Sequence, residues 1–445
     1  MRKNNTFCGS EPTWANACVG NNGNPSYVEY SIGFSKAANV LIDLVLSGRG
    51  FNYPVDEFIY PVCFNMRHSI ELRLKGAIEE LIEISKIKNK IIHFDLSGSH
   101  HIGNIWTFFK NESEKLDHRY IKINENLEST ILDVSDIDST GQTFRYPVDT
   151  ESQKHLTDVS TISFSRLKIK FNELEENLGR LHFLNTYLLA EYRLKTFTTK
   201  MSRVKLFQLA NDLPNKSTWK DEEFKQVKLD LMNKYSLSSN DLTKSIKLIL
   251  NHYEMAPMIG EIPPLKSLCF DNICLLLDEW IKINPSIKTR HLSGPVIESI
   301  DLSDINGLTK IFEDMKQRHV AEEKMWDKLS TIINPQILAG FKALFYFARD
   351  KDFSETYVLK YEYELEEASI YFNNNKDEFK KSFLHLYEKT NLIDNFITSL
   401  FFLNHHKIAE ALISRYELGN SFTWLEEARS RTLFKLPDIC GYNDI

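Results

Sequence analysis

The stretch Tyr60-Pro-Val-Cys-Phe-Asn-Met-Arg-His-Ser-Ile-Glu-Leu-Arg-Leu-Lys75 decides the fold of this chain. Its spacing predicts a helix running to Lys86. At about 100° per residue, Ile70, Leu74, Ala77, Ile78, Leu81 and Ile84 form one apolar stripe. Arg67 and Glu71 fall inside that stripe or at its edge, and Lys75 falls beside it. Charges on a core face must be paired or hydrogen-bonded, because burying them alone is costly. The helix is therefore expected to carry a polar cluster at a packing surface.

Outward from this helix the pattern stays helical. Tyr27 to Leu46 has helical spacing, with Gly33, Ala37 and Ala38 small enough for a close helix crossing and with Gly48 and Gly50 to end it. Residues 88–100 read as a loop. His101-Ile-Gly-Asn-Ile-Trp-Thr-Phe-Phe109 begins a helix over 101–117, expected to return antiparallel to the first with Trp106 on its Ile70/Leu74 face. Further helices are expected over 119–132 and 163–195, with an irregular segment from Asp133 to Asp149. Later helices are expected at 220–235, 241–256 (announced by Ser238-Ser-Asn-Asp241), 265–282, 306–330, 335–349, 354–373, 376–389, 391–403, 405–417 and 421–432. Residues 283–305, with Pro285, Gly294 and Pro295, are the linker candidate. The expected class is all-α: an arm at 1–26, a bundle at 27–200, a helical middle region at 201–305 and a C-terminal helical domain at 306–445.

Composition bounds the function. Among 445 residues, 42% are hydrophobic and 26% charged, the balance of a globular chain. With 29 Phe, 18 Tyr and 6 Trp there is enough apolar bulk for large cores, while 17 Gly and 13 Pro are too few for an all-β fold. A net charge of −7 gives no bulk reason to bind nucleic acid or an anionic membrane. The six cysteines are scattered without a CxxC pair and read as reduced thiols of a cytoplasmic protein. Neither a secretory signal nor a membrane span is expected. His100-His101 and His405-His406 lack metal-ligand spacing, and no nucleotide loop or nucleophile elbow is present, so neither metal nor cofactor is expected.

Tyr60-Pro, Arg67-His68-x-x-Glu71-Leu72-x-Leu74-Lys75, His101-x-x-x-Ile105-Trp106 and Phe144-Arg-Tyr-Pro-x-Asp149 together resemble a group of bacterial helical proteins similar to HEPN domains (higher eukaryotes and prokaryotes nucleotide-binding). The resemblance covers residues 27–195. It implies an up-down helical bundle in a cytoplasmic protein of the antiviral-defence, abortive-infection or toxin type. It also implies an RNA partner, a protein partner such as an antitoxin, a homodimer, and activity as a metal-independent endoribonuclease. Ribonucleolytic HEPN domains carry Arg, four to six residues, then His. No arginine here has a histidine at that spacing, and adjacent Arg67 and His68 diverge by about 100° on a helix.

Two readings of the residues therefore stand. In one, Arg67, His68 and His101 are catalytic: arginine stabilises charge on a phosphate and histidine moves a proton. Glu71, Lys75, Arg145, Tyr146 and Asp149 then bind substrate. In the other, Arg67/Glu71/Lys75 is a structural ion-pair network, His101 is a helix-start residue, Arg145/Tyr146/Asp149 braces a loop, and the chain is a non-catalytic scaffold or sensor for a protein partner.

Overall fold

Ser26 and Glu29 form a capping box that opens α1 (Tyr27–Ser47), and Gly48 ends it at φ 60°, in the left-handed region where glycine carries no side-chain penalty. In the computed structural model, which describes residues 4–20, 22–48, 53–149, 151–285, 287, 316, 319–350 and 352–441, every regular element is helical and none is a strand. The chain is all-α. Residues 442–445, most of the expected linker and the first part of the expected helix at 306–330 lie outside the described residues; 319–329 are helical. Chain contacts divide it into two units, residues 1–193 with 439–445, and residues 194–438. The described residues of 4–26 are all exposed.

In the first unit α2 (Val55–Ile87) packs against α1, α3 (Ile102–Leu116), α4 (Tyr120–Asp138) and α5 (Phe164–Arg193). The predicted stripe is its core face: Ile70, Leu74, Ile78, Leu81 and Ile84 are inaccessible to solvent, and Trp106 of α3 is buried too. Side-chain pairings fix the helix directions. Tyr27 meets Gly76 and Phe34 meets His68, so α1 runs antiparallel to α2. His100 bonds Glu71 at one end of α3, and Lys88 Nζ donates to the Leu116 carbonyl at the other.

Those two contacts overturn the antiparallel expectation: α3 runs parallel to α2. The intervening segment spans about 3.3–3.6 Å per residue when extended, long enough to carry the chain back along α2 before α3 starts. α4 then folds back on α3 through Lys110–Glu128 (2.6 Å). Gly179 beside Arg73, Asn185 on Glu80 and Tyr192 on Lys88 set α5 parallel to α2.

α4 also extends six residues past its expected end. Asp133 to Asp138 show little apolar periodicity, but the turn is held from outside: Arg67 Nε donates to the Asp138 carbonyl (3.3 Å). Such closure of orphan C-terminal carbonyls is not visible in local sequence.

The second unit contains α6 (Arg203–Asp212), which sequence periodicity did not announce, then α7 (Glu223–Tyr235), α8 (Ser239–Leu250) and α9 (Phe270–Ile283). Ser238 and Asp241 form the capping box of α8. After these come α10 (Pro335–Phe347), α11 (Glu355–Asn374), α12 (Lys376–Tyr387), α13 (Leu392–Phe402), α14 (His406–Arg415) and the short α15 (Leu425–Arg429). The aromatic-dense pair α10 and α11 packs together, with Phe347 edge-on to Tyr357 at 5.9 Å. Gly340 lets the segment before α9 lie close against α10: a Cβ there would stand 2.6 Å from the Lys266 carbonyl oxygen.

Candidate functional site

Among the described residues, three polar clusters and a cavity bear on function. The first is the cluster the sequence singled out. Arg67, Glu71 and Lys75 stand one turn apart on α2, and all three are buried. Glu71 pairs with Arg67, with Lys75 Nζ (2.9 Å) and with His100 Nδ1 (2.9 Å). Burial resists ionisation of its carboxyl, but hydrogen bonds from Lys75, His100 and Arg67 outweigh this and hold its pKa below the usual range. Arg67 also donates to the carbonyls of Asp138, Ser139 (3.0 Å) and His100. Gly141, at φ 82°, lies against the guanidinium, where a Cβ would sit 3.2 Å from Nη1. His100, with 60% of its side chain exposed, is the outer member of the cluster.

The other expected residues go elsewhere. His101 caps α3, its Nδ1 accepting from Asn104 N (3.4 Å). His68 leaves the ion network for an aromatic one: it stacks on Phe64 (5.7 Å, 7°) and meets Phe34 edge-on (4.5 Å). Arg145 lies over the rings of Phe64 (5.8 Å) and Tyr146 (5.1 Å) and donates to the Tyr146 hydroxyl. Asp149 closes its own turn, its Oδ1 accepting from Glu151 N and Gln153 N (both 2.8 Å). The fold thus joins Arg67, Glu71 and Lys75. It places His68 with Arg145 and Tyr146, and sets His101 and Asp149 apart. His100, which sequence reasoning weighed only as half of a metal pair, is the histidine that reaches the α2 cluster.

Burial lowers the His68 pKa; Glu71 opposes this, while Arg67, Lys75 and Arg145 reinforce it. On acidification the unfolded chain therefore takes up this proton first. The His68 contribution to stability is complete above the ordinary histidine pKa of about 6.5 and is lost as pH falls through the lower folded value. His68→Phe, which keeps the ring stack, is expected to flatten the stability profile over that window. Denaturant midpoints measured from pH 7.5 down to 5 check it, and an unchanged slope would reject it.

The second cluster was not legible in sequence. Arg119 pairs with Asp117 (2.9 Å) and with Glu191 (2.7 Å), all three buried, and also donates to the Cys440 carbonyl. Tyr192 donates to Asp117 (2.9 Å). Lys88 lies over the Tyr192 ring; burial pushes its pKa down to about 8, against the pull of Asp117.

The third lies in the second unit, where ligand atoms of His252, Glu254 and Glu355 all fall within 4.8 Å of one another. Glu355 lies about a hundred residues from the His252/Glu254 pair, beyond any spacing rule. The set does not suit a metal as it stands. Arg203 donates through both terminal nitrogens to Glu355 (Nη2–Oε2 3.1 Å) and stands 3.9 Å from Glu254. Nδ1 of His252 accepts from the Glu254 and Met255 amides, so the proton of the neutral ring is on Nε2, which faces Glu355 at 3.0 Å. A cation ligated at Nε2 would need that proton removed and the guanidinium displaced. Burial opposes ionisation of Glu355, but His252 and Arg203 hold its carboxyl well below the usual range.

The cavity, about 600 Å³, lies in the first unit between α2, α4, the 144–163 segment and α5. Compared with protein-family models, with curated proteins and with solved structures, the chain matches none. No helix among the described residues is long and apolar enough to cross a membrane.

Proposed function

We propose that the chain is a non-catalytic helical sensor or scaffold that binds a protein partner, built on a HEPN-like N-terminal bundle and belonging to the bacterial defence or toxin–antitoxin class that its motifs suggest. The observation that carries this reading is the commitment of Arg67. Its guanidinium is directed at one carboxylate and three backbone carbonyls, all within the protein. A phosphate would have to displace those acceptors, and stranding a buried carboxylate beside them is costly. His68 and His101 make separate contacts, so the acid–base pair required for RNA cleavage is not assembled with Arg67.

A specific feature favours the ribonucleic acid reading as the second choice. Tyr146, Arg145, Phe64, His68 and Phe34 form a continuous ladder of rings and one guanidinium, with Arg145 and Tyr146 exposed. Bases stack on such surfaces with little sequence preference.

Purified full-length protein incubated with single-stranded RNA decides between the two. The sensor reading expects no cleavage, and expects Arg67→Lys to change thermal stability without altering any RNA readout. RNA cleavage by the intact chain that His68→Ala abolishes at unchanged far-UV ellipticity would establish the catalytic reading instead.

A further inference from the structure

The cavity beside Arg67 is built differently from the ion clusters. Cys63, Met66, Val134, Phe144, Leu167 and Phe171 make its walls largely aliphatic and aromatic. The Cys63 thiol is neutral there, because burial, reinforced by the nearby Asp138, pushes its pKa up to about 12. Its volume of about 600 Å³ falls in the range of small-molecule sites.

Charge is confined to particular places on this lining. Arg67 is already committed to Glu71 and to three backbone carbonyls. Arg166 and Lys170 stand at i and i+4 on α5, so they project from one face one turn apart. Lys170 is paired with Glu173 (2.9 Å), whereas Arg166 has no carboxylate within ion-pair distance among the described residues. Asp133 of α4 is the carboxylate of the lining. The arrangement is an apolar chamber with a cationic edge, matched to a molecule with an apolar body and one anionic end.

We propose that this cavity binds an amphipathic acyl anion, its hydrocarbon chain among Met66, Phe144, Leu167 and Phe171 and its carboxylate or phosphate on Arg166 and Lys170. The assignment rests on the sensor reading and supplies that sensor with a ligand. The aliphatic walls favour a flexible chain: apolar area removed from water is worth about 25 cal/mol per Å², whatever its shape. The headgroup supplies orientation through charge-assisted hydrogen bonds, for which a guanidinium is suited.

The full chain titrated calorimetrically with dodecanoate, dodecyl phosphate and dodecanol, each below its micelle concentration, tests this. Both anions should bind saturably at one per chain, with dodecanol at least tenfold weaker. Arg166→Gln/Lys170→Gln should weaken dodecanoate at least tenfold, while Asp133→Asn leaves it equal or tighter. Val134→Trp, which fills the chamber from α4, should remove binding at unchanged far-UV ellipticity; should that variant unfold, Leu167→Trp fills it from α5. Preference for one anion over the other tells carboxylate from phosphate ligands. Equal binding of dodecanol overturns the headgroup assignment. Retained binding in a folded, chamber-filled variant, or no binding of any probe, overturns the site. Failure here leaves the sensor reading standing, since RNA cleavage is what defeats that one.

Discussion

Arg119→Met is expected to destabilise the first unit by about 3–5 kcal/mol, the cost of removing one partner from a buried ionic set. The substitution leaves Asp117 and Glu191 buried without their shared cation. Water cannot replace it, because the guanidinium side chain is only 3% exposed. Methionine supplies similar bulk, so the loss is electrostatic and not a cavity effect. The triple variant Arg119→Met/Asp117→Asn/Glu191→Gln should recover much of the loss, because it removes the charges together. Guanidinium unfolding curves followed by far-UV ellipticity measure both. A single-variant loss below about 1 kcal/mol would mean that the set behaves as an exposed ion pair.

Glu71→Ala is expected to cost a similar amount, about 3–5 kcal/mol, against less than about 0.5 kcal/mol for Glu79→Ala on the exposed face of the same helix. Glu71 is the shared anion of Arg67, Lys75 and His100, and its removal strands two buried cations. Glu80, the neighbouring glutamate, is an unsuitable control: its carboxylate accepts from Asn185 (2.8 Å) and lies 3.2 Å from His182. The prediction has a pH signature. The folded pKa of Glu71 is depressed, so its contribution is complete above the unfolded glutamate pKa of about 4.3 and is lost as pH falls through the folded value. Glu71→Gln should therefore flatten the acid limb of the stability profile. Equal midpoints for the Glu71 and Glu79 variants would show Glu71 to be solvated.

These expectations show how much of the candidate site was legible before folding. Arg67, Glu71 and Lys75 were visible because a helix repeats every 3.6 residues, so charges on an apolar stripe declare their burial from spacing alone. Their partners did not declare themselves. His100 and His101 are equivalent as letters, and the path of the loop before α3 decides that His100 meets Glu71 while His101 caps the helix. His68 likewise stands beside Arg67 in sequence, but the 100° turn between them delivers one ring to Phe34 and Phe64 and one guanidinium to the carbonyls around Asp138.

The sequence by itself determined the all-α class, the extents of α1, α2, α3 and α5 to within a few residues, the Ser238 cap and the burial of Trp106. Each rests on periodicity or on capping chemistry within a few residues of chain. The parallel course of α3, the last turns of α4, and the pairing of Arg119 with Glu191 and of Arg203 with Glu355 were decided only by tertiary structure. Loop closure costs grow only slowly with length, so local sequence places little restriction on which distant carboxylate meets which cation. The packed helices select among those partners, because a buried charge left unmatched costs more than the closure that brings its counterpart.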